Sequence, residues 1–310
     1  MSRLLCSLVA LSVPWALLAQ ETTAEHPPVT TDLELQVELH RRGFSCGAID
    51  GIAGPQTAAA VRAWQRRHEL PESGRLDAAT RALLRLGAPA LKRHIVVASD
   101  LEGLQSVPTT WLGKSQLTGL AHATALERIA EWHRASPRLL QRINPGVDWD
   151  ALAPGAELAL PDVAPPPFAG RAAEIVVRLA AHELEAFDAE GRILMHCPVS
   201  IARKVEKRPS GELRVIVVVR DPNYTFDPEL FPDNPESREI GRKLIIPPGP
   251  NNPVGLAWIG LSLPGYGIHG TPDPEKIGRT ESLGCFRLAN WDAVALLDLV
   301  RVALVVRVEP

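Results

Sequence analysis

The chain has 310 residues, a formal net charge of −3, 45% hydrophobic residues, 28 prolines and 23 glycines. That length calls for two or three domains, and the proline and glycine counts call for many turns and several linkers. The slightly acidic balance lacks the basic footprint of a polyanion binder, so nucleic acid is not an expected partner.

Residues 1–19 have the make-up of an export signal. Arg3 gives a positive start, Leu4 to Leu18 is apolar apart from small polar residues and Pro14, and Ala19 offers a cleavage point. Leu17, at the third position back, is larger than the usual small residue. The apolar run is short for a membrane span, so a membrane enters only if the signal stays uncleaved. Cys6 leaves with the signal, while Cys46, Cys197 and Cys285 remain. An odd number of thiols in an oxidising compartment leaves at least one free or paired with another chain. Cys46 and Cys197 fall in different domains, so a disulfide between them is not expected. A free thiol outside the cytoplasm is usually kept for chemistry.

Residues 21–30 read as a polar leader. Residues 31–87 read as helical. Leu33, Val37 and His40 share one helix face with Leu35 and Leu39 beside them, and Gly43 ends that helix. Ile49 to Pro55 is a tight loop, and Pro55 suits the first turn of a second helix, where its missing N–H costs nothing. Ala58, Val61 and Trp64 give that helix its buried stripe. Asp77 caps a third helix carrying Leu83 and Leu84. A faint internal repeat sets Gly51 six residues before Thr57 and Gly74 six before Thr80. Leu39, Gly43, Asp50-Gly51, Gly54-Pro55, Thr57, Ala60-Val61, Trp64 and Gln65 make this stretch resemble the small three-helix peptidoglycan-binding domain found beside many wall enzymes. A generic helical adaptor is the alternative.

Residues 91–163 begin with a short strand at Ile95-Val96-Val97. An amphipathic helix follows from Ala125 to His133, then a second with Leu139, Leu140 and Ile143 that ends at Asn144-Pro145-Gly146, and a strand after Ala153-Pro154-Gly155. The strand–helix–helix–strand order, with its Leu-Leu-x-x-Ile-Asn-Pro and Pro-Gly-x-x-Leu runs, resembles a diverged LysM glycan-binding module. The stretch between Val97 and Ala123 is longer than that compact form allows, and a plain spacer is the rival reading. Pro161 to Pro167 is extended and marks a proline-rich linker over 164–172.

Residues 173–310 read as mostly β. Ile175 to Leu179 is a strand, 182–187 and 192–199 form a hairpin around Asp188–Gly191, and Val215 to Val219 is an unbroken apolar run expected to be buried on both faces. Short strands follow at 243–246, 256–261 and 267–269. Asn290 is expected to cap a helix bearing Val294, Leu297 and Val300, and Val302 to Val308 closes with a strand. A curled sheet with one late helix accommodates this order.

The chemistry sits near the end. His269-Gly270-Thr271 is followed, with fifteen residues between histidine and cysteine, by Ser282-Leu283-Gly284-Cys285-Phe286-Arg287. A thiol attacks as thiolate and needs a neighbour that takes its proton. A glycine before the cysteine lets a substrate backbone approach and turns amide N–H groups toward it. Acyl transfer through a thioester is the natural reading. His196 beside Cys197 is not such a pair, because neighbours on a strand point to opposite faces. No CxxC or HExxH pattern occurs, so neither a metal nor another cofactor is expected.

The spaced motif, with Pro198-Val199-Ser200-Ile201, Arg208-Pro209-Ser210-Gly211, Asn252-Pro253-Val254-Gly255 and Tyr266-Gly267-Ile268-His269-Gly270 upstream, resembles the L,D-transpeptidase (YkuD-like) catalytic domain from about residue 173 to 308. The resemblance implies a multidomain α+β protein that ends in a mostly β curled-sheet catalytic domain. It implies a secreted or periplasmic, wall-associated enzyme acting on peptidoglycan stem peptides and glycan. Cys285 would be the nucleophile, His269 the base and the Gly270 carbonyl the group orienting its ring. The amides of Gly284 and Cys285 would hold the oxyanion, and Ser282, Arg287 and Tyr266 would meet substrate. Leu283 departs from the histidine that the family commonly carries two residues before the cysteine. That leaves the acceptor open between an amine, giving cross-links or attached proteins, and water, giving an L,D-carboxypeptidase or endopeptidase. A non-catalytic wall-binding protein is a third reading, opposed by the intact His269 and Cys285.

Overall fold

The computed structural model describes residues 27–279 and 284–310. The expected export signal, and Ser282 and Leu283 of the motif, lie outside them. The helical bundle opens with α1 (Asp32–Arg41), whose Thr31 hydroxyl accepts from the Glu34 amide while the Glu34 carboxylate accepts from the Thr31 amide. Gly43, at a φ of +84°, turns the chain out of that helix. Pro55 starts α2 (Pro55–Arg67) and Asp77 caps α3 (Ala78–Leu83). Ala60, Val61, Ala63 and Trp64 bury the α2 face against Leu35, Leu39 and Phe44, whereas Ala58 is only half-buried. Leu84 is buried and Leu83 is exposed.

The faint repeat is a hydrogen-bonding device. The Gln36 side chain accepts from the Gly51 amide (2.8 Å) and donates to the Thr57 hydroxyl (3.1 Å). The Gln65 side chain does the same with Gly74 (2.9 Å) and Thr80 (2.8 Å). Both glycines have positive φ, +73° and +65°, so the turn closes without a Cβ penalty. Each buried glutamine satisfies a loop that would otherwise bury unpaired amides.

In the middle unit, β1 (Leu91–Ile95) runs antiparallel to β2 (Glu157–Pro161), with Leu91 opposite Pro161. The first strand starts four residues before the one expected at Ile95, because Val96 turns inward at the strand end while Ile95 and Val97 face solvent. Between the strands come the short α4 (Ala98–Leu101) and α5 (Trp111–Ser115), then α6 (Ala125–Trp132) and α7 (Pro137–Ile143). Ile129, Leu139, Leu140, Leu158 and Leu160 form a core that also takes in Val37 and Ile49 of the bundle. Bundle and middle unit therefore share one apolar interior. Residues of the proline-rich segment are pinned as well: Arg41 Nε donates to Asp162 O, and Phe168 and Pro166 pack on Gly43.

The C-terminal part is built on an eight-stranded sheet of order β11-β10-β9-β6-β12-β3-β4-β5. Its strands are β3 (Glu174–Arg178), β4 (Glu183–Phe187), β5 (Ile193–Pro198), β6 (Gly211–Arg220), β9 (Ala257–Leu261), β10 (Gly267–His269), β11 (Phe286–Arg287) and β12 (Val305–Glu309). Neighbours pair antiparallel except β12 with β3 and β10 with β11. The valine run of β6 is not buried on both faces. Leu213 and Val215 face the core, while Ile216 and Val217 are 56% and 39% exposed. The reason is a register shift between Val215 and Val217, which breaks the alternation on the β9 side and leaves both Ile216 and Val217 open. The bundle covers the far edge: the Ser45 amide donates to His196 O and the His196 amide to Gly43 O, so residues 43–45 extend the sheet beyond β5.

One helix, α9 (Asn290–Leu297), packs on the sheet. Its cap is Ala289, not Asn290, and its buried face is Ala293, Leu296, Leu299 and Val300 rather than Val294 and Leu297. The Asn290 side chain is turned to another use, described below. A flap stands off the main sheet: β7 (Tyr224–Phe226) and β8 (Leu244–Ile246) pair with each other, joined through α8 (Pro235–Ile240). The segment before α6 grips it. Trp111 stacks on Phe226 at 4.5 Å, its amide donates to Glu236 Oε2, and Leu120 completes the cluster. The length between Val97 and Ala123 that a compact module does not need is the part that holds the flap. Trp111→Ala should cost about 3 kcal/mol, the range for removing a large packed aromatic, read as a lower denaturation midpoint. A change below about 0.5 kcal/mol, the size of an ordinary surface substitution, would remove Trp111 as the brace.

Candidate active site

The register of β10 on β11 decides where the motif residues point. Ile268 is opposite Phe286 and His269 opposite Arg287, in parallel. Partners across a ladder share a face and successive residues alternate. Ile268 and Phe286 are fully buried in the core of the sheet, which turns His269 and Arg287 to the other face. Cys285 directly precedes β11, two residues before Arg287. The pair is locked by the Leu288 amide donating to His269 O (2.8 Å) and by two backbone bonds between Arg287 and Ser200 (2.9 and 3.0 Å).

His269 Nδ1 is 2.6 Å from Gly270 O. A carbonyl only accepts, so Nδ1 carries the proton and Nε2 holds the free lone pair. Across β9, Trp258 is directly opposite His269, and the two rings stack at 5.7 Å. Trp258 also lies over Gly267, where a Cβ would come within 2.6 Å of the indole. Burial holds His269 down at about 4 despite the Gly270 bond, and the charge of Arg287 acts in the same direction as burial.

The Cys285 sulfur is half-buried and 3.6 Å from Gly265 O. Burial pushes this thiol up; the backbone of Gly267 and the charge of Arg287 draw it partly back. Cys46 and Cys197 are also free but buried, and both are pushed up by burial. Tyr266 is half-buried, its ring 3.3 Å from where a Gly284 Cβ would sit, and its hydroxyl donates to Lys207 O (3.0 Å). Gly284 thus enters the site because a side chain there would press on Tyr266. Arg287 is half-buried, within the electrostatic reach of Asp273 and Cys285.

Residues distant in sequence complete the arrangement. Asn290 is fully buried, and its Oδ1 accepts from the amides of Thr271 (3.1 Å) and Leu256 (3.2 Å). Its Nδ2 donates to Pro250 O and to Glu131 of α6. A Cβ at Gly255 or Gly270 would come 1.9 or 2.2 Å from that oxygen, so both positions are glycine for want of space. Asn290 therefore fixes the turn whose carbonyl orients His269. Tyr224 of the flap is raised by burial and then by the charge of Cys285. The motif does not show Trp258; it runs on to Asn290 and Asp292, where Asn290 reads only as a helix cap, and the Asn252-Pro253-Val254-Gly255 run is the available signal for the Asn290 cradle.

Glu183, Glu185 and His196 lie elsewhere, with ligand atoms within 4.8 Å of one another. Arg66 and Arg178 pair with Glu185 and Arg62 lies 3.9 Å from Glu183. The carboxylates are already neutralised by guanidinium groups, a poor donor set for a cation.

Residues 172–308 match the family model described as "L,D-transpeptidase catalytic domain", and residues 33–84 match "Putative peptidoglycan binding domain". A protein of Fuscovulum blasticum named "Putative L,D-transpeptidase in ATP synthase subunits region ORF 5" is 33% identical over 134 residues, 43% of this chain and 68% of that protein. The chain belongs to the L,D-transpeptidase family. "Putative L,D-transpeptidase YkuD" of Bacillus licheniformis is 28% identical over 178 residues, 56% of this chain and 87% of the relative. Among solved structures, "L,D-transpeptidase from Mycobacterium smegmatis" aligns over 50% of this chain and 64% of its own length, at 20% identity and a TM-score of 0.34. The family suggests an acyltransferase, and the two matched regions together imply a peptidoglycan substrate and association with the cell wall.

The two shifts set the resting protonation. With His269 held at about 4 and the Cys285 thiol raised above its ordinary 9.0, both are neutral between those values. The alkylation rate of Cys285 should therefore keep climbing with pH up to and beyond 9. A plateau reached below pH 7 would show a standing thiolate–imidazolium pair instead.

Proposed function

We propose that the protein transfers the acyl part of a peptidoglycan stem tetrapeptide through a thioester on Cys285, with release of D-Ala. The observation that carries this reading is the parallel pairing of β10 and β11, which sets His269 opposite Arg287, two residues after Cys285. His269 Nε2 takes the thiol proton as sulfur adds to the carbonyl before D-Ala. The Gly270 bond at Nδ1 steadies the imidazolium that forms. The carbonyl oxygen becomes an oxyanion, held by the Gly284 and Cys285 amides, and collapses to expel D-Ala with the proton from His269. The amine of a second stem then attacks the thioester, giving its proton to His269 and the bond to the acyl carbon, and the thiol is restored. In this reading His269 acts as a general base.

The helical bundle and the middle unit read as wall-binding parts, the latter in a LysM-like role. They share a core with each other and backbone bonds with the sheet, which favours a wall strand held at a fixed distance from Cys285. Export to the periplasm or exterior belongs to the same reading. Hydrolysis is the second reading, since Leu283 removes a second imidazole from acceptor handling. Cys285→Ala should abolish D-Ala release, and His269→Ala should slow it by about 10²–10⁴-fold, the usual worth of a positioned base. Mass analysis of muropeptides after incubation separates the readings: dimers mean transfer to an amine, monomers short of D-Ala mean hydrolysis, and an unchanged pattern contradicts both.

A further inference from the structure

A cavity of about 320 Å³ opens where the bundle, the middle unit and the loop leading to Cys285 meet. That volume is at the lower end of small-ligand sites, enough for a short peptide arm. Arg138 and Arg142 line it from α7, one helical turn apart and so on one face. Arg279 faces them from the catalytic loop, with Asp50 and Glu275 as the acidic members. The carboxylate of Asp50 is already engaged, accepting from Gln36 Nε2 and from the Ile52 amide at 2.9 Å each. Arg142 is turned onto the Asp50 carbonyl. Arg138 and Arg279 are exposed, and neither makes a salt bridge among the described residues. The cavity thus holds cationic forks in excess of the acids able to meet them, which suits a carboxylate accepted bidentately.

Its wall is tied to the catalytic loop. Gln56 Nε2 donates to Ile277 O (2.8 Å), and Gly278 sits at φ +71°, with a Cβ there coming 2.6 Å from the end of the Gln56 side chain. The Gly278 amide donates to Ser200 Oγ (2.9 Å), and Ser200 is the residue whose backbone locks Arg287. An occupant between Arg138 and Arg279 therefore presses on the segment that leads to the nucleophile.

We propose that this junction cavity is a second subsite, taking a short carboxylate-bearing peptide arm of the wall strand processed at Cys285. The inference rests on the reading that the substrate is a stem peptide, and it adds a grip contributed by all three parts of the chain.

The test uses the protein without residues 1–19, which carry Cys6, and with Cys285 capped by iodoacetamide, a single adduct being checked by mass since Cys46 and Cys197 are buried. Calorimetry then follows binding of a soluble stem tetrapeptide, the same peptide with its carboxylates amidated, and a wall disaccharide without peptide. The tetrapeptide should bind the capped protein, at least tenfold tighter than its amidated form, and weaken as salt rises. Arg138→Ala with Arg279→Ala, both on exposed side chains, should lose at least tenfold while keeping the thermal midpoint. No binding to the capped protein, equal binding by the double variant, or a preference for the disaccharide would each overturn the proposal. D-Ala release by uncapped enzyme is measured separately, so failure of the subsite and failure of the thioester reading are told apart.

Discussion

The arrangement depends on one short parallel pairing at the edge of the sheet. Ile268 and Phe286 are pulled into the core by burial, and the pleat then turns His269 and Arg287 to the other face, with Cys285 directly before the strand. A slip of one residue would send the imidazole inward and the isoleucine to solvent. Burial of two apolar side chains is thus what aligns the polar ones. Burial also acts on the chemistry, holding His269 down and pushing the Cys285 thiol up.

A second constraint is supplied by Asn290. Its amide spends every polar atom on loops that flank the histidine, and through Glu131 it reaches the middle unit. Asn251 makes a parallel link, donating to Ala121 O and to Glu127. With Trp111 stacked on Phe226 of the flap, the middle unit holds both the Asn290 cradle and the flap. The N-terminal parts are therefore built into the walls of the catalytic region.

Much of this was legible in the sequence because chemistry at fixed spacing survives without a structure. The histidine–cysteine interval, Pro55 and Asp77 at helix starts, and the glycines of the bundle each carry a local physical reason. Errors arose where the third dimension decides. The valine run of β6 looked buried on both faces, yet pairing leaves Ile216 and Val217 open. Asn290 had the composition of a cap, but Ala289 holds that position and the asparagine serves loops far away in sequence. Trp258 carries no motif; only the β9–β10 register brings it against His269.

The most direct test is intact-mass analysis after rapid mixing of enzyme with a stem tetrapeptide and acid quench. The account predicts a transient adduct equal to the tetrapeptide minus D-Ala, located on Cys285 by peptide mapping and missing when the thiol is capped beforehand. D-Ala appearing without any covalent intermediate, or an adduct on another residue, would contradict it.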